Sequence, residues 1–137
     1  MVSVTGTKGN AVQVEVLGIA EVTRMLRAKG KQIAAGADLG VVRAGTYIQE
    51  EVKESIMGNR AEHKSVDTGR FVNSVEFIKT GKAKGKVESK VPYAKNLEYG
   101  TSKMAPRRHF GNTKTRNQMK VKTIIDAEIK GKMLKNI

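Results

Sequence analysis

The chain predicts an α+β fold: a small antiparallel sheet with a central hairpin, packed by a long N-terminal-half helix and a C-terminal helix. Three patterns lead there. Ile33, Ala37, Val41, Ala44, Ile48, Val52 and Ile56 recur three or four apart, a spacing that stacks side chains on one side of a helix. Apolar residues at alternate positions mark strands over 12–16, 71–78 and 87–91, since side chains two apart share one face of a sheet. Val121, Ile124, Ile125 and Ile129, with Met133 one turn on, form a second helical stripe within a closing helix over 119–137.

Each element can be justified in order. Residues 1–11 hold Gly, Thr, Ser, Lys and Asn around two isolated valines. They read as a flexible N-terminal tail, leaving 12–137 as a single α+β domain. Val12, Val14 and Val16 alternate with Gln13 and Glu15 in a strand that stops near Gly18. Ile19, Val22 and Leu26 then share a helical face that ends near Gly30. The long helix over 33–56 follows, with Asp38, Arg43, Glu50, Lys53 and Glu54 on its polar side. Gly36, Gly40 and Gly45 each cost a helix about 1 kcal/mol against Ala. Either the helix breaks near Gly36 and Gly40, or something packs closely there. Gly58-Asn59 supplies its stop.

A polar loop covers 59–68, and Asp67 or Thr68 is placed to cap a short helical turn near Gly69. Phe71, Asn73, Val75 and Phe77 nonetheless alternate as a strand would, so the hairpin is placed at 71–78 and 87–91. Residues 80–86 form its turn, expected to be long and mobile. Pro92 closes the second strand. Residues 94–98 form one helical turn delivering Tyr99 and Gly100, and 101–112 read as irregular.

Composition narrows the chemistry. The 137 residues include no Cys and no Trp, which removes disulfides, thiolate metal sites and cysteine nucleophiles. Apolar runs are too short to span a membrane, and the start lacks the apolar core of a secretory signal, so the expectation is use inside a cell. The net charge of +13 is uneven: +1 over 1–58 and +12 over 59–137. A basic half of this kind suits a polyanion or an acidic protein partner, and it also suits plain solubility.

Two stretches carry a family resemblance. The first is Asp67-Thr68-Gly69-Arg70-Phe71 with Ser74-Val75, and the second is Tyr93-Ala94-x-x-x-Glu98-Tyr99-Gly100-Thr101, followed by Pro106. In these the chain resembles the HK97 gp10-like family of tailed-phage and provirus neck or tail-completion proteins. The family pattern runs Asp-Thr-Gly-x-Leu, then Ser-Ile, a hairpin, Tyr-Ala-x-x-x-Glu-Phe-Gly-Thr, and Pro-Phe-x-x-Pro-Ala opening a C-terminal helix. Phe71, Val75 and Tyr99 stand at the Leu, Ile and Phe of that pattern. Arg107-Arg108-His109-Phe110 displaces the next aromatic, and Gly111-Asn112 stand near the missing second proline. The order of elements is similar over nearly the whole chain. The resemblance implies a structural virion protein, assembled in the host cytoplasm, that forms a homo-oligomer or ring with other neck or tail proteins. It implies no cofactor, no metal and no catalysis.

Read chemically, the motif residues look structural. Asp67, Thr68 and Gly69 suit a turn, and the Glu98 carboxylate can fix the Tyr99–Gly100–Thr101 turn or pair with Arg70. Tyr93 and Tyr99 serve as core or contact aromatics. An enzyme would require His63 or His109 grouped with carboxylates, and Asp67 with His63 is the nearest divalent pair. Gly81 to Lys86 imitates a phosphate loop but has its glycines one residue too close and Val87 at the Ser/Thr position. Lys79, Lys82, Lys84, Lys86 and Lys90, with Arg107 and Arg108, instead form a cationic surface. It can meet DNA phosphates, meet an acidic ring lumen, or keep a sheet edge soluble. A small basic nucleic-acid-binding domain is therefore the rival reading.

Overall fold

A computed structural model of the chain describes residues 2–5, 12–17, 31–66 and 68–134. The seven apolar residues of the long stripe lie on one helix, α1 (Lys31–Ile56), and all seven are buried. Gly58 ends it in the left-handed region at φ 84°. Gly58 N–H donates to Ser55 O and Asn59 N–H to Glu54 O, the paired bonds of a Schellman cap. The predicted helix over 19–30 lies outside the described residues.

The C-terminal stripe lies on α4 (His109–Leu134), which begins ten residues before the expected start at 119. Apart from Phe110, which is buried, and Gly111, residues 109–118 are polar in sequence, so their helicity draws on contacts to α1 and a remote carboxylate cap. The two helices run antiparallel. A Cβ at Gly36 would stand 2.7 Å from Ile129 Cα, and one at Gly40 would stand 2.9 Å from Ile125 Cα. The glycines therefore do not break α1. They let two backbones meet at a distance no side chain permits, which was the second of the two expectations.

A four-stranded antiparallel sheet lies on this helix pair, in the order β1-β2-β4-β3. Its strands are β1 (Val2–Thr5), β2 (Val12–Leu17), β3 (Glu76–Gly81) and β4 (Lys84–Ser89). Val12, Val14 and Val16 are fully buried, as the alternation required, and Val14 sits opposite Val87 across the β2/β4 ladder. The Phe77 ring fills a slot between helix and sheet: a Cβ at Gly45 or Gly85 would stand 2.1 or 2.3 Å from it. One aromatic thus uses both glycines, and any side chain at either would displace it.

Four expectations are corrected. Val2–Thr5 is not a loose tail but pairs with β2, from Val2 opposite Val16 to Thr5 opposite Gln13. Phe71 is not on a strand: Arg70–Ser74 is a short helix, α2, and the strand starts at Glu76. Phe71 and Val75 lie four apart as well as two-periodic, so a run this short fits both patterns. Gly69, at φ 83°, decides for the turn.

The hairpin turn is short, not long. The strands extend to Gly81 and from Lys84, leaving Lys82-Ala83 as a two-residue turn. Asp38 of α1 holds it, accepting from Ala83 N–H at 3.0 Å and pairing with Lys79 Nζ at 2.5 Å. Lastly, residues 109–112 of the expected irregular stretch are helical. Residues 94–99 form a single helical turn as expected, α3 (Ala94–Tyr99).

The glycine contacts carry a prediction. Helix propensity alone would make Gly→Ala stabilising by about 1 kcal/mol. At Gly36 or Gly40 the added methyl meets backbone that cannot rotate away, so each variant should lose about 1–3 kcal/mol. Gly131, on the same helix pair but with nothing within 4 Å, is the control. Gly131→Ala should gain up to about 1 kcal/mol in urea denaturation. Equal effects at all three positions would refute the close-approach account.

Candidate functional site

The two motif stretches meet in space. A solvent-facing cavity of about 520 Å³ is lined by Thr68, Gly69, Arg70 and Phe71 of the first stretch and by Tyr93 and Leu97 of the second. Lys64, Ser65, Val66 and Arg107 complete it. Tyr93, 37% exposed, packs edge-on against Phe71 at 6.0 Å, and Phe71 packs edge-on against buried His109 at the same distance. Tyr93 is thus a contact aromatic at the wall, and Tyr99 is exposed outside it.

Local backbone explains why these residues hold their places. Thr68 Oγ1 accepts from Arg70 N–H at 3.4 Å, a weak bond just ahead of α2, whose N-cap residue is Gly69. Asp67, the other capping candidate, lies outside the described residues. Ser74 Oγ meets Phe71 O and Ser89 Oγ, both at 2.6 Å, tying α2 to the end of β4. Gly100 takes φ 78°, ψ 176°, a conformation almost confined to glycine. A Cβ there would stand 2.7 Å from Pro106 N, so Gly100 lets the 101–106 loop fold back. Thr101 bridges Met104 within that loop, and Arg107 N–H reaches Leu97 O at 2.8 Å.

Glu98 has a structural task, though on a different backbone from the one expected. It neither fixes the Tyr99–Thr101 turn nor pairs with Arg70. Its carboxylate, 3% exposed, accepts from Phe110 N–H at 2.9 Å and Gly111 N–H at 2.8 Å. Those N–H groups are orphaned by the first turn of α4, where the helix dipole also favours an anion. A proline at 111 would have no N–H to give, and a Cβ there would stand 3.1 Å from Glu98 Oε2. Burial raises the Glu98 pKa, against the pull of those two N–H groups and nearby Arg108.

Beneath the cavity lies a relay that sequence reasoning missed. Arg116 grips the Glu62 carboxylate with two bonds of 2.9 and 3.0 Å, and Asn112 adds a third. Ser55 Oγ lies 2.6 Å from Glu62, His109 Nδ1 lies 2.8 Å from Ser55 Oγ, and Ser65 Oγ lies 2.7 Å from His109 Nε2. Arg107 Nη1 donates to both Ser65 Oγ and Lys64 O at 2.8 Å. Burial pushes the Glu62 pKa up, but the bonds from Arg116, Ser55 and Asn112 hold it at about 2.

An ionised carboxylate only accepts, and that settles every direction along the chain. Ser55 donates to Glu62 and therefore accepts from His109 Nδ1–H. His109 Nε2 is then the acceptor, and Ser65 donates to it. The structure thus does bring His109 near a carboxylate, through Ser55. Ser65 and His109 have the spacing of a hydroxyl nucleophile and its base. The base is mismatched, however. Burial holds the His109 pKa at about 4, Arg107 acts the same way, and Glu62 opposes both. General-base catalysis favours a group titrating near the working pH. A neutral imidazole that clamps three segments is the better account of this geometry.

The remaining site candidates separate. His63 is exposed, and no group of three or more His, Asp or Glu able to hold a metal occurs among the described residues. Of the hairpin lysines, Lys79 pairs with Asp38, while Lys86 and Lys90 flank buried Glu88 at 2.9 and 3.5 Å. Lys82, Lys84 and Arg108 are exposed. Arg107 is half-buried in the cavity wall and apart from the hairpin. The one clue to the relay in the sequence was Ser55, a polar residue inside the apolar stripe of α1. Its partners lie 7 and 54 residues away, beyond any local pattern. The chain matches no family model, and comparison with curated proteins and with solved structures finds no match.

Two predictions follow from this geometry. Glu98→Ala strands one buried and one part-buried N–H group and should lower stability by about 2 kcal/mol, with Glu98→Gln intermediate, read from thermal melts. For pH, His109 stays neutral when folded down to about 4 but takes a proton near 6.5 when unfolded. The unfolded state therefore binds more protons in that window, and stability falls as pH drops from 6.5 towards 4, by roughly 3 kcal/mol. Glu62 extends the loss below 4.5, whereas Glu98, with its raised pKa, works in the opposite sense. His109→Gln should flatten the 6.5-to-4 slope; an unchanged slope would place the acid sensitivity elsewhere.

Proposed function

We propose that this chain is a structural virion protein of a tailed phage or provirus, acting in the neck, in head–tail joining or in tail completion by oligomeric assembly. The observation that carries the reading is the convergence of both motif stretches on one solvent-facing cavity. Their residues are spent on holding loops: Gly69 and Gly100 in restricted backbone, Ser74 as a tie, Glu98 as a remote cap. What they leave exposed is a contact surface of Tyr93, Arg70 and Thr68. Residues used in this way suit docking, in which the work is shape and position. Copies docked head to tail under closed rotational symmetry form a ring, with other neck or tail proteins as further partners in the virion.

Among the described residues no helix is long and apolar enough to cross a membrane. The rival, a basic nucleic-acid-binding domain, draws on the +12 charge over 59–137. It is weakened by the carboxylates that engage Lys79, Lys86 and Lys90.

Light scattering coupled to chromatography over a concentration series, at low and high salt, tests the reading. The expected outcome is a discrete oligomer larger than a dimer that persists in high salt. A monomer at every concentration that binds duplex DNA with steep salt dependence would overturn it in favour of the rival.

A further inference from the structure

The cavity has a chemistry of its own. Lys64, Arg70 and Arg107 line it, and no carboxylate does so among the described residues. Counting neighbouring Asp67 in full against these three cations still leaves an excess of positive charge. Arg107 is already fixed before any ligand arrives, because Lys64 O and Ser65 Oγ both accept from Nη1. Its Nη2 and Nε edge has no partner among the described residues, and neither does the Arg70 guanidinium. A planar, pre-oriented guanidinium is matched to a carboxylate or phosphate, and preorganisation lowers the entropic cost of binding.

The relay strengthens this bias. Ser65 directs its proton inward to His109, so the remaining side-chain donors among the lining residues are the three cations and the hydroxyls of Thr68 and Tyr93. Apolar surface comes from Phe71, Leu97, Val66 and the Tyr93 ring. The same cavity therefore offers cations to an anion and apolar surface to a neighbouring side chain.

We infer that the cavity docks an acidic, apolar peptide segment of a partner protein. An Asp or Glu carboxylate would sit on Arg107 and Arg70, with a neighbouring apolar side chain on the Tyr93–Leu97 wall. The inference rests on the assembly reading above, and names the chemistry of the partner at that surface. A nucleic-acid strand fits less well, because backbone recognition needs a run of cations along a track, and no hairpin lysine lines the cavity.

The test is an NMR titration of the isotope-labelled full chain with N-acetyl-glutamyl-phenylalanine amide, alongside its glutaminyl counterpart. Saturable amide shifts confined to Ser65, Arg70, Tyr93 and Arg107 are expected for the acidic probe, with a Kd in the range of about 1 mM. The glutaminyl probe should bind at least about fivefold more weakly, the size of one charged contact. Arg70→Ala, whose side chain holds nothing else, should weaken the acidic probe by about two- to fivefold, and Tyr93→Ala should do likewise. Absent or scattered shifts, equal binding of both probes, or tighter binding of a short single-stranded oligonucleotide or of inorganic phosphate at these amides would each overturn the inference. A monomer by light scattering that still binds the probe here removes the ring and leaves the pocket. An intact oligomer that does not bind it removes the pocket alone.

Discussion

The closeness of α1 to α4 at Gly36 and Gly40 sets the register on which the rest depends. With no Cβ on either glycine, the Ile125 and Ile129 backbone settles directly against α1. The helices then stay in step along their length: Tyr47 hydroxyl reaches Asn117 Oδ1 at 3.1 Å, and Ser55 meets His109 further on. Sliding α4 by one residue would turn each of its side chains by about 100°. His109 would leave Ser55, and Phe110 and Gly111 would carry their N–H groups away from Glu98. Backbone contact at one end thus fixes polar chemistry at the other.

That chemistry is directional because it begins at a carboxylate held ionised. Glu62 costs desolvation when buried, and Arg116 offsets it with a bidentate pair. From there each hydroxyl and ring nitrogen has one role left to it, out to Ser65 at the cavity floor. The relay gathers the end of α1, the 59–66 loop and the start of α4. It also leaves the cavity rich in donors and poor in acceptors, so a buried network shapes the preference of an exposed surface.

Local pattern carried the reading far where burial is one-sided. The stripe of α1 and the alternation of β2 were legible because a face that meets a core must repeat at the period of its own element. Gly36 and Gly40 were legible as an anomaly, since a helix tolerates such glycines only with a reason. The reading failed where a segment is short or where its partner is remote. Phe71 to Val75 satisfies two periods at once. Residues 109–118 show little apolar pattern, because Glu98 and the α1 contacts make them helical. The hairpin turn looked long because Asp38, which anchors it, lies more than forty residues earlier.

The same division holds for the site. Thr68, Gly69, Tyr93, Glu98 and Gly100 were singled out by the resemblance of the two stretches, and for Thr68, Gly69 and Glu98 the residue types add turn chemistry: glycine suits a positive φ, and a carboxylate near a turn seeks N–H groups. The sequence by itself determined the α+β class, the principal helices, the basic half and the absence of cysteine chemistry. Only the tertiary structure decided that Glu98 caps α4, that His109 joins Ser55 and Ser65, and that the two motifs enclose one cavity. Hydrogen bonds between groups tens of residues apart leave no periodic trace, and which donor meets which acceptor is settled only when the helices have docked.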